Sequence, residues 1–348
     1  TYRYIYLRDQ DSGQFWSLSW HPVQEKYDSY RCFHTLGQSR FEMMFDKIEA
    51  TAEVSVPQEI DCEIWRVTIQ NTDNKKRRLA LFFVVDLPEN LNEAFNDKGL
   101  LVACDRHDPT LVYFATSSRQ FDSFECDREA FFGPFGDLAR PICVVEGKGT
   151  RSVAVGQKAF FLTEHNLALG KNATSQLDFF VGQTSDLAST RRILSKLKQA
   201  GAVEKAHERT RKMRQDESGA VFVRTPEPTV DQLFNHFWKY QALAPFGTNT
   251  LETLQRLSVA LGFGRTTRAE LDQVLIEQTK DGRLESIEPT IWLVRLLVEY
   301  LKEVGDFAYF GQNRVYHDSG EGTVLQHFIR ALNYCQTEQA SSGLVCVA

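Results

Sequence analysis

At 348 residues the chain exceeds the roughly 100 to 200 residues of a typical domain, so two domains and a sizeable core are expected. Hydrophobic residues make up 42% and charged residues 25%, as in a globular protein, and a net charge of −6 argues against nucleic acid as the main partner, because phosphate binding depends on clustered Lys and Arg. The seven cysteines are scattered without a Cys-x-x-Cys pair, which indicates neither a disulfide framework nor a zinc site. With no apolar run of about 18 residues and no signal peptide, a membrane span is not expected and a reducing cytoplasm is the expected setting. The text opens at Thr1 on strand-like sequence rather than on Met, which leaves room for an upstream piece.

From Thr1 to about Gly182, apolar and polar residues alternate in short runs bounded by Gly, Asp, Asn and Pro. Tyr2 to Leu7, Phe15 to Trp20, Glu63 to Gln70, Arg78 to Val85, Leu111 to Ala115 and Gln176 to Val181 read as strands. Turn residues separate them at Asp11-Ser12-Gly13, Asn71 to Asn74 and Glu146 to Gly149. Many strands with no helical pattern between them predict an antiparallel β-sandwich in which one face of each strand is packed. On that reading Ile64, Val67 and Ile69 alternate, imperfectly, with Glu63, Arg66 and Gln70.

Asp186 to Glu217 changes to helical spacing, with Leu187, Ile193, Leu194 and Leu197 apolar. The basic run from Arg191 to Arg214 is offset by Glu204 and Glu208, which favours a solvated linker helix over a nucleic-acid surface. A connector follows, stiffened by Pro226 and Pro228. Thr229 to Phe246 then opens a helical region: Leu233, Phe237, Tyr240 and Ala244 form one stripe, Phe234, Trp238 and Gln241 flank it, and Thr229 with Gln232 has capping-box spacing. So many aromatic rings predict a helix buried among others. Asn249 to Gly262, Thr266 to Thr279, Pro289 to Val304 and Thr323 to Thr337 also read as helices, with Gly305 placed as a left-handed cap and Thr323 with Gln326 repeating the capping box. The predicted division is residues 1–185 as sandwich, 186–228 as helical linker and connector, and 229–348 as helical domain.

Taken alone, the residues contain no phosphate-binding glycine loop, no nucleophile elbow and no His-Glu-x-x-His metal motif. The eight histidines share no ligand spacing, and Asp281-Gly282 reads as a turn. Aromatic rings beside amides are the better signal, since sugars present apolar faces and hydroxyl edges together. Trp16, Trp20, Trp238 with Gln241, and Trp292 are of this kind, with core packing as the other reading of each.

Two stretches carry a family resemblance. Arg3-Tyr4-Ile5-Tyr6-Leu7-Arg8-Asp9, followed by Asp11 to Ser17, Pro22-Val23 and His34 to Gly37, resembles the amino-terminal sandwich of the cellobiose phosphorylase family of inverting glycoside phosphorylases. Phe237 to Gln241, Asp281-Gly282, Trp292 with Tyr300 to Asp306, and Leu325 to Arg330 are similar to successive landmarks of that family's helical barrel. The resemblance implies a multidomain α and β architecture: an antiparallel β-sandwich, a helical linker, then part of an (α/α)6 barrel, in a homodimer.

It also implies phosphorolysis of a β-linked gluco-oligosaccharide (β-1,2, β-1,3 or β-1,4) to α-glucose 1-phosphate, with inorganic phosphate as co-substrate, no cofactor and no metal. One carboxylic acid protonates the leaving oxygen while phosphate takes the place of the activated water. In the family that acid opens an Asp-Trp-Asn-Asp motif after a short apolar run similar to Gly343 to Ala348, so it is expected beyond Ala348. Where the family has an Arg-Asp pair gripping the glucosyl unit, this chain has Asn249-Thr250-Leu251-Glu252, with Glu252 standing for the Asp and the Arg unmatched. The resemblance therefore implies Trp238, Gln241, Glu252 and Trp292 as sugar-site neighbours. It implies Arg8, Asp9 and Trp16 as a loop at a domain or dimer interface near the substrate, with a buried ion pair at the sandwich edge as the other reading of Arg8 and Asp9. A part of a larger enzyme is the preferred expectation; a non-catalytic glycan-binding relative on the same fold is the alternative.

Overall fold

The computed structural model describes residues 2–35, 37–57, 59–105, 107–118, 120–218, 221–239 and 264–338. It divides into two compact units, Thr1–Arg211 and Lys212–Ala348.

The first unit is antiparallel throughout. Its strands are β1 (Arg3–Asp9), β2 (Phe15–Ser17), β3 (Ser29–Thr35), β4 (Gln38–Phe45), β5 (Ile48–Ser55), β6 (Cys62–Asn71), β7 (Arg77–Asp86), β8 (Glu93–Asn96), β9 (Leu101–Asp105), β10 (Asp108–Thr116), β11 (Ser123–Asp127), β12 (Ala154–Val155), β13 (Ala159–Leu169) and β14 (Thr174–Thr184). They form a five-stranded sheet in the order β11-β13-β7-β1-β2 and a nine-stranded sheet in the order β12-β8-β9-β10-β14-β6-β5-β4-β3. Between the sheets lies an apolar layer that includes Leu7, Trp16, Phe45, Ile48, Val67, Ile69, Phe83, Phe114, Phe161 and Phe179. Phe83 is its centre, with ring centroids of Trp65, Phe114 and Phe179 at 5.3, 5.2 and 4.8 Å, mostly edge to face as aromatic quadrupoles prefer.

Both sheets are also covered on their outer faces, which corrects the expectation of singly packed strands. On the five-stranded sheet, Tyr6, Ala80, Phe82, Val84, Phe160 and Leu162 pack under Phe131, Phe132, Cys143 and Val144. Those last residues belong to two short helices, α1 (Arg128–Phe132) and α2 (Ile142–Glu146), where sequence reading saw no helical pattern. Five residues are too few for a 3.6-residue period to show. Burial on both faces explains why Leu79–Asp86 is an unbroken buried run rather than an alternation.

The nine-stranded sheet is covered by α3 (Leu187–Leu197) and α4 (Ala202–Ser218), separated at Gly201, whose φ of 74° is the left-handed region. Leu194, Leu197 and Val203 pack on Cys62, Ile64, Val102, Tyr113 and Phe180. The imperfect alternation in β6 is thereby resolved: Cys62 and Ile64 face the helices, while Val67 and Ile69 face the sandwich interior. Arg66, between them, donates from Nε and Nη2 to Asp178 at 2.7 and 3.0 Å and pairs through Nη1 with Glu204 of α4 at 2.8 Å. The expected linker thus lies partly on the sandwich, and the unit boundary falls within α4.

In the second unit, α5 (Pro228–Gln232) continues into a π-helical turn, Leu233–Phe237. The expected capping box at Thr229 and Gln232 does not form. Pro228 occupies the first helical position, so the cap is Glu227, whose carboxylate accepts from the Thr229 amide at 3.1 Å. Leu233 and Phe237 are exposed, Phe237 at 55%, rather than buried among helices. The remaining elements are α6 (Gly264–Glu277), α7 (Ile287–Val304), a 3₁₀ turn (Phe307–Gly311), a hairpin of β15 (Asn313–Val315) and β16 (Glu321–Thr323), and α8 (Val324–Thr337). Their core gathers Leu271, Leu275, Leu284, Leu293, Leu296, Leu297, Tyr300, Tyr309 and Val324. Gly305 ends α7 at φ 69° and Thr323 opens α8 with both bonds of a capping box, as predicted. The helix expected over Asn249 to Gly262 lies outside the described residues, as do Tyr240 and Ala244.

Candidate functional site

Asp9 ends β1 and is 4% exposed. One carboxylate oxygen accepts from the amides of Asp11 and Ser12 at 3.0 and 2.8 Å, and the other accepts from Arg77 Nε at 3.0 Å. Burial pushes its pKa up, but the Ser12 amide and the Arg77 guanidinium more than offset this and leave the carboxyl below its ordinary value. Arg77 also pairs with Asp46 at 2.7 Å, so this cluster ties the end of β1 to the β4–β5 turn. Asp9 pairs with Arg77, not with its neighbour Arg8.

Arg8 points elsewhere. Its half-buried guanidinium lies against the backbone of Gly147, where an added Cβ would come within 3.0 Å of a terminal nitrogen, and near Gly13. Its Nε is buried with no hydrogen-bond partner among the described residues. Trp16, expected beside substrate, is a core residue: it is 0% exposed and its ring lies 5.0 Å from that of Phe45. Its register partner is Leu7, and the alternation that puts Arg8 on the opposite face sends Trp16 inward. From there its ring cannot stack on a sugar.

In the helical unit, Trp238 is half-buried, with the Phe234 ring 4.1 Å away one turn earlier. The segment is strapped to its connector by Asn235, which accepts from the Val223 amide and donates to the Val223 carbonyl, and by Lys239, which donates to the Val221 carbonyl. Trp292 on α7 is half-buried beneath the Arg295 guanidinium, 4.9 Å from its ring. Gln241 and Glu252 lie outside the described residues.

The other family landmarks of this unit are structural. Tyr300 is buried in the core, and Asp306, which caps the 3₁₀ turn, pairs with Arg268 at 2.9 Å. Asp281 accepts from Thr279 Oγ1 at 2.5 Å in the predicted turn, and a Cβ on Gly282 (φ 103°) would meet the Arg330 carbonyl oxygen of α8 at 2.1 Å. His327 is fully buried, with Nδ1 at 2.6 Å from Gln278 Oε1 and its ring stacked 4.0 Å from Tyr316. Burial lowers its pKa, partly opposed by the Arg314 carbonyl.

Sequence reasoning missed one concave feature, a cleft of about 770 Å³ on the sandwich unit, a volume suited to a small organic ligand. It is lined by Arg128, Glu129, Phe132, Gly133, Gly136 and Asp137 among others, from α1 and the loop after it. Arg128 lies over the Phe132 ring at 4.7 Å. Tyr2, half-buried beside Asp86 and Arg128, has its hydroxyl pushed up to about 12, chiefly by the burial of that group. A Cβ on Gly136 would sit 1.7 Å from the Phe132 carbonyl oxygen, so the loop's path depends on glycine. The usable signal was Asp127-Arg128-Glu129 followed by Phe131-Phe132-Gly133, a capped start and a glycine stop too close together to register as a helix. Among the described residues no three or more His, Cys, Asp or Glu side chains gather as they would for a metal ion, and no helix is long and apolar enough to cross a membrane.

The antiparallel double sheet and the helices on its outer faces fall within residues 1–200, which match the family described as glycosyl hydrolase 94, supersandwich domain. The chain belongs to that family. It is 27% identical to a solabiose phosphorylase of Paenibacillus borealis, over 99% of this chain and 49% of that protein. It is 26% identical to an N,N'-diacetylchitobiose phosphorylase of Vibrio furnissii, over 98% of this chain and 52% of that protein. A solved structure described as a candidate kojibiose phosphorylase from the human microbiome aligns with a TM-score of 0.50 at 12% identity, covering 88% of this chain and 46% of the other, which speaks to fold alone. The chain spans about half the length of the curated relatives it matches.

Proposed function

We propose that this chain serves an inverting glycoside phosphorylase acting on β-linked gluco-oligosaccharides. The observation that carries the reading is extent: both relatives named as phosphorylases align over 98 to 99% of this chain, through the sandwich and the helical unit alike. In the proposed reaction a phosphate oxygen attacks the anomeric carbon from the face opposite the leaving sugar. The glycosidic bond breaks, a protein carboxylic acid protonates the departing oxygen, and α-glucose 1-phosphate and a shortened sugar are released. No cofactor enters this scheme.

We place the helices of the second unit in an (α/α)6 barrel, with the acid beyond Ala348, and the enzyme in the cytoplasm as a homodimer. Trp238 and Trp292, both half-exposed rings, are proposed as sugar-stacking neighbours, with Gln241 and Glu252 as hydrogen-bonding ones. Asp9 acts in this scheme by fixing the turn that presents Arg8, and Trp16 by packing beneath the same strand pair.

The test is release of glucose 1-phosphate from a panel of β-1,2-, β-1,3- and β-1,4-linked gluco-oligosaccharides, with and without phosphate, by the natural full-length protein beside the 348-residue chain. Phosphate-dependent release by the full-length protein supports the reading, and the linkage that reacts assigns the substrate. Oligosaccharide binding without release by either would overturn it in favour of a non-catalytic glycan-binding relative, the alternative that the unmatched Arg near Glu252 raises.

A further inference from the structure

Of the cysteines among the described residues, Cys62, Cys126 and Cys143 are buried, Cys104 and Cys335 are half-buried, and Cys32 is exposed. Cys32 lies on β3, the end strand of the nine-stranded sheet, and among the described residues no further strand covers it on one side. The two-residue period of a strand puts Cys32 and His34 on the same face, and the register pairs His34 with Ser39 of β4. Cys32 Sγ is 3.2 Å from His34 Nε2, and His34 Nδ1 is 2.8 Å from Ser39 Oγ. The His34 ring stands edge-on to Phe41 at 6.2 Å. In the tautomer with the proton on Nδ1, that nitrogen donates to the Ser39 hydroxyl and Nε2 offers its lone pair to the thiol. Nucleophile, base and orienting group thus stand in line on an exposed edge.

We propose that Cys32 is a nucleophilic thiol, served by His34 as proton acceptor, that exchanges with low-molecular-weight disulfides and carries a reversible mixed disulfide on the sandwich edge. In the step, the Cys32 proton passes to His34 Nε2 while Sγ attacks one sulfur of the disulfide. A new S–S bond forms, the original one breaks, and the leaving thiolate departs with its electron pair and takes the proton from His34. Cys32 is oxidised and the displaced half of the disulfide is reduced. A base is needed because an ordinary cysteine thiol is mostly protonated near neutrality, and the thiolate is the attacking species. Burial takes the Cys62 and Cys143 thiols up to about 12 and closes both to a reagent in solution.

The experiment treats the whole folded 348-residue chain with a chromogenic aromatic disulfide and, separately, with oxidised glutathione, reading the rate of thiolate release and mapping the adduct by peptide mass spectrometry. One fast-reacting thiol mapping to Cys32 is expected, and Cys32→Ser removes that phase. His34→Gln slows the reaction at least about tenfold at about pH 7 but leaves it near the parent rate at about pH 10, where hydroxide deprotonates the thiol instead. Ser39→Ala slows it less, with the same pH signature. A fast adduct on Cys104, Cys335 or Cys346, or a His34→Gln rate equal to the parent's at both pH values, would overturn the proposal. So would equal slowing at both, which would mark His34 as a packing residue only.

Discussion

Deep inside the sandwich, Phe83 is surrounded by Trp65, Phe114 and Phe179. The comparable depth of the helical unit is shared between leucines and a polar set in which His327 meets Gln278, and Gln278 in turn donates to the carbonyls of Gly282 and His327. The first interior is non-directional apolar packing, whose worth scales with area removed from water. The second depends on hydrogen bonds that contribute little net but are expensive to leave half made. Strand pairing explains the difference. In the sheets the backbone satisfies itself over long registers, such as Arg77–Asp86 against Phe160–Leu169, and the side chains are free to be apolar. In the helical unit the turns between helices bring backbone carbonyls inward, and side-chain amides and rings must meet them.

The sharpest way to break this comparison is to remove its centre. Phe83→Ala deletes a ring that is 0% exposed and touches three others, and is expected to cost about 3 to 5 kcal/mol in urea unfolding of the sandwich unit. A cost below about 1 kcal/mol, within the range of surface changes, would show that the interior collapses around the loss and that the rings are not its main support.

A second test uses the histidine each interior contains. His165 lies between the sheets, 5.4 Å from the Phe179 ring, and burial lowers its pKa to about 4. Its Nε2 has no partner among the described residues, whereas His327 keeps contacts from both nitrogens. Unfolded, His165 takes a proton below about pH 6.5; folded, it stays neutral down to about 4. The native state is therefore fully favoured above about pH 6.5 and loses up to about 3 kcal/mol as pH falls through that window. Comparing the parent with His165→Leu by denaturant unfolding at about pH 7 and about pH 4.5 isolates this contribution. Equal acid losses in the two proteins would refute it.

What the sequence made legible follows the same physics. β6 and β7 were readable because length and β-branched or aromatic content mark strands whatever their faces meet. Gly305 and the Thr323 cap were readable because the chemistry of a helix end is local. The outer helix layers were not. α1 and α2 are five residues each, and nothing in Leu79–Asp86 distinguishes a second buried face from a hydrophobic strand. Thr229 was misjudged because Pro228 moved the helix start back by two positions, so Glu227 took the cap. Trp16 was misjudged because a tryptophan beside polar text looks the same whether its strand turns it to solvent or to Phe45. The cleft at Arg128 and Phe132 was invisible because its wall is a loop shaped by Gly133 and Gly136, and loops carry no period.

The smallest effect probes the polar side of the comparison. Thr323 is both the last residue of β16 and the cap of α8. Its hydroxyl accepts from the Gln326 amide at 3.2 Å, and Gln326 Oε1 accepts from the Thr323 amide at 2.9 Å. Thr323→Ala removes the first of these bonds and leaves the second with a less constrained partner, an expected loss of about 1 kcal/mol measured by thermal unfolding of the helical unit. Thr323→Ser keeps the hydroxyl and should recover most of it. If Ser were no better than Ala, the loss would lie in the threonine methyl rather than in the cap. The helical unit would then depend on apolar packing even at its ends, and would differ from the sandwich less than His327 and Gln278 imply.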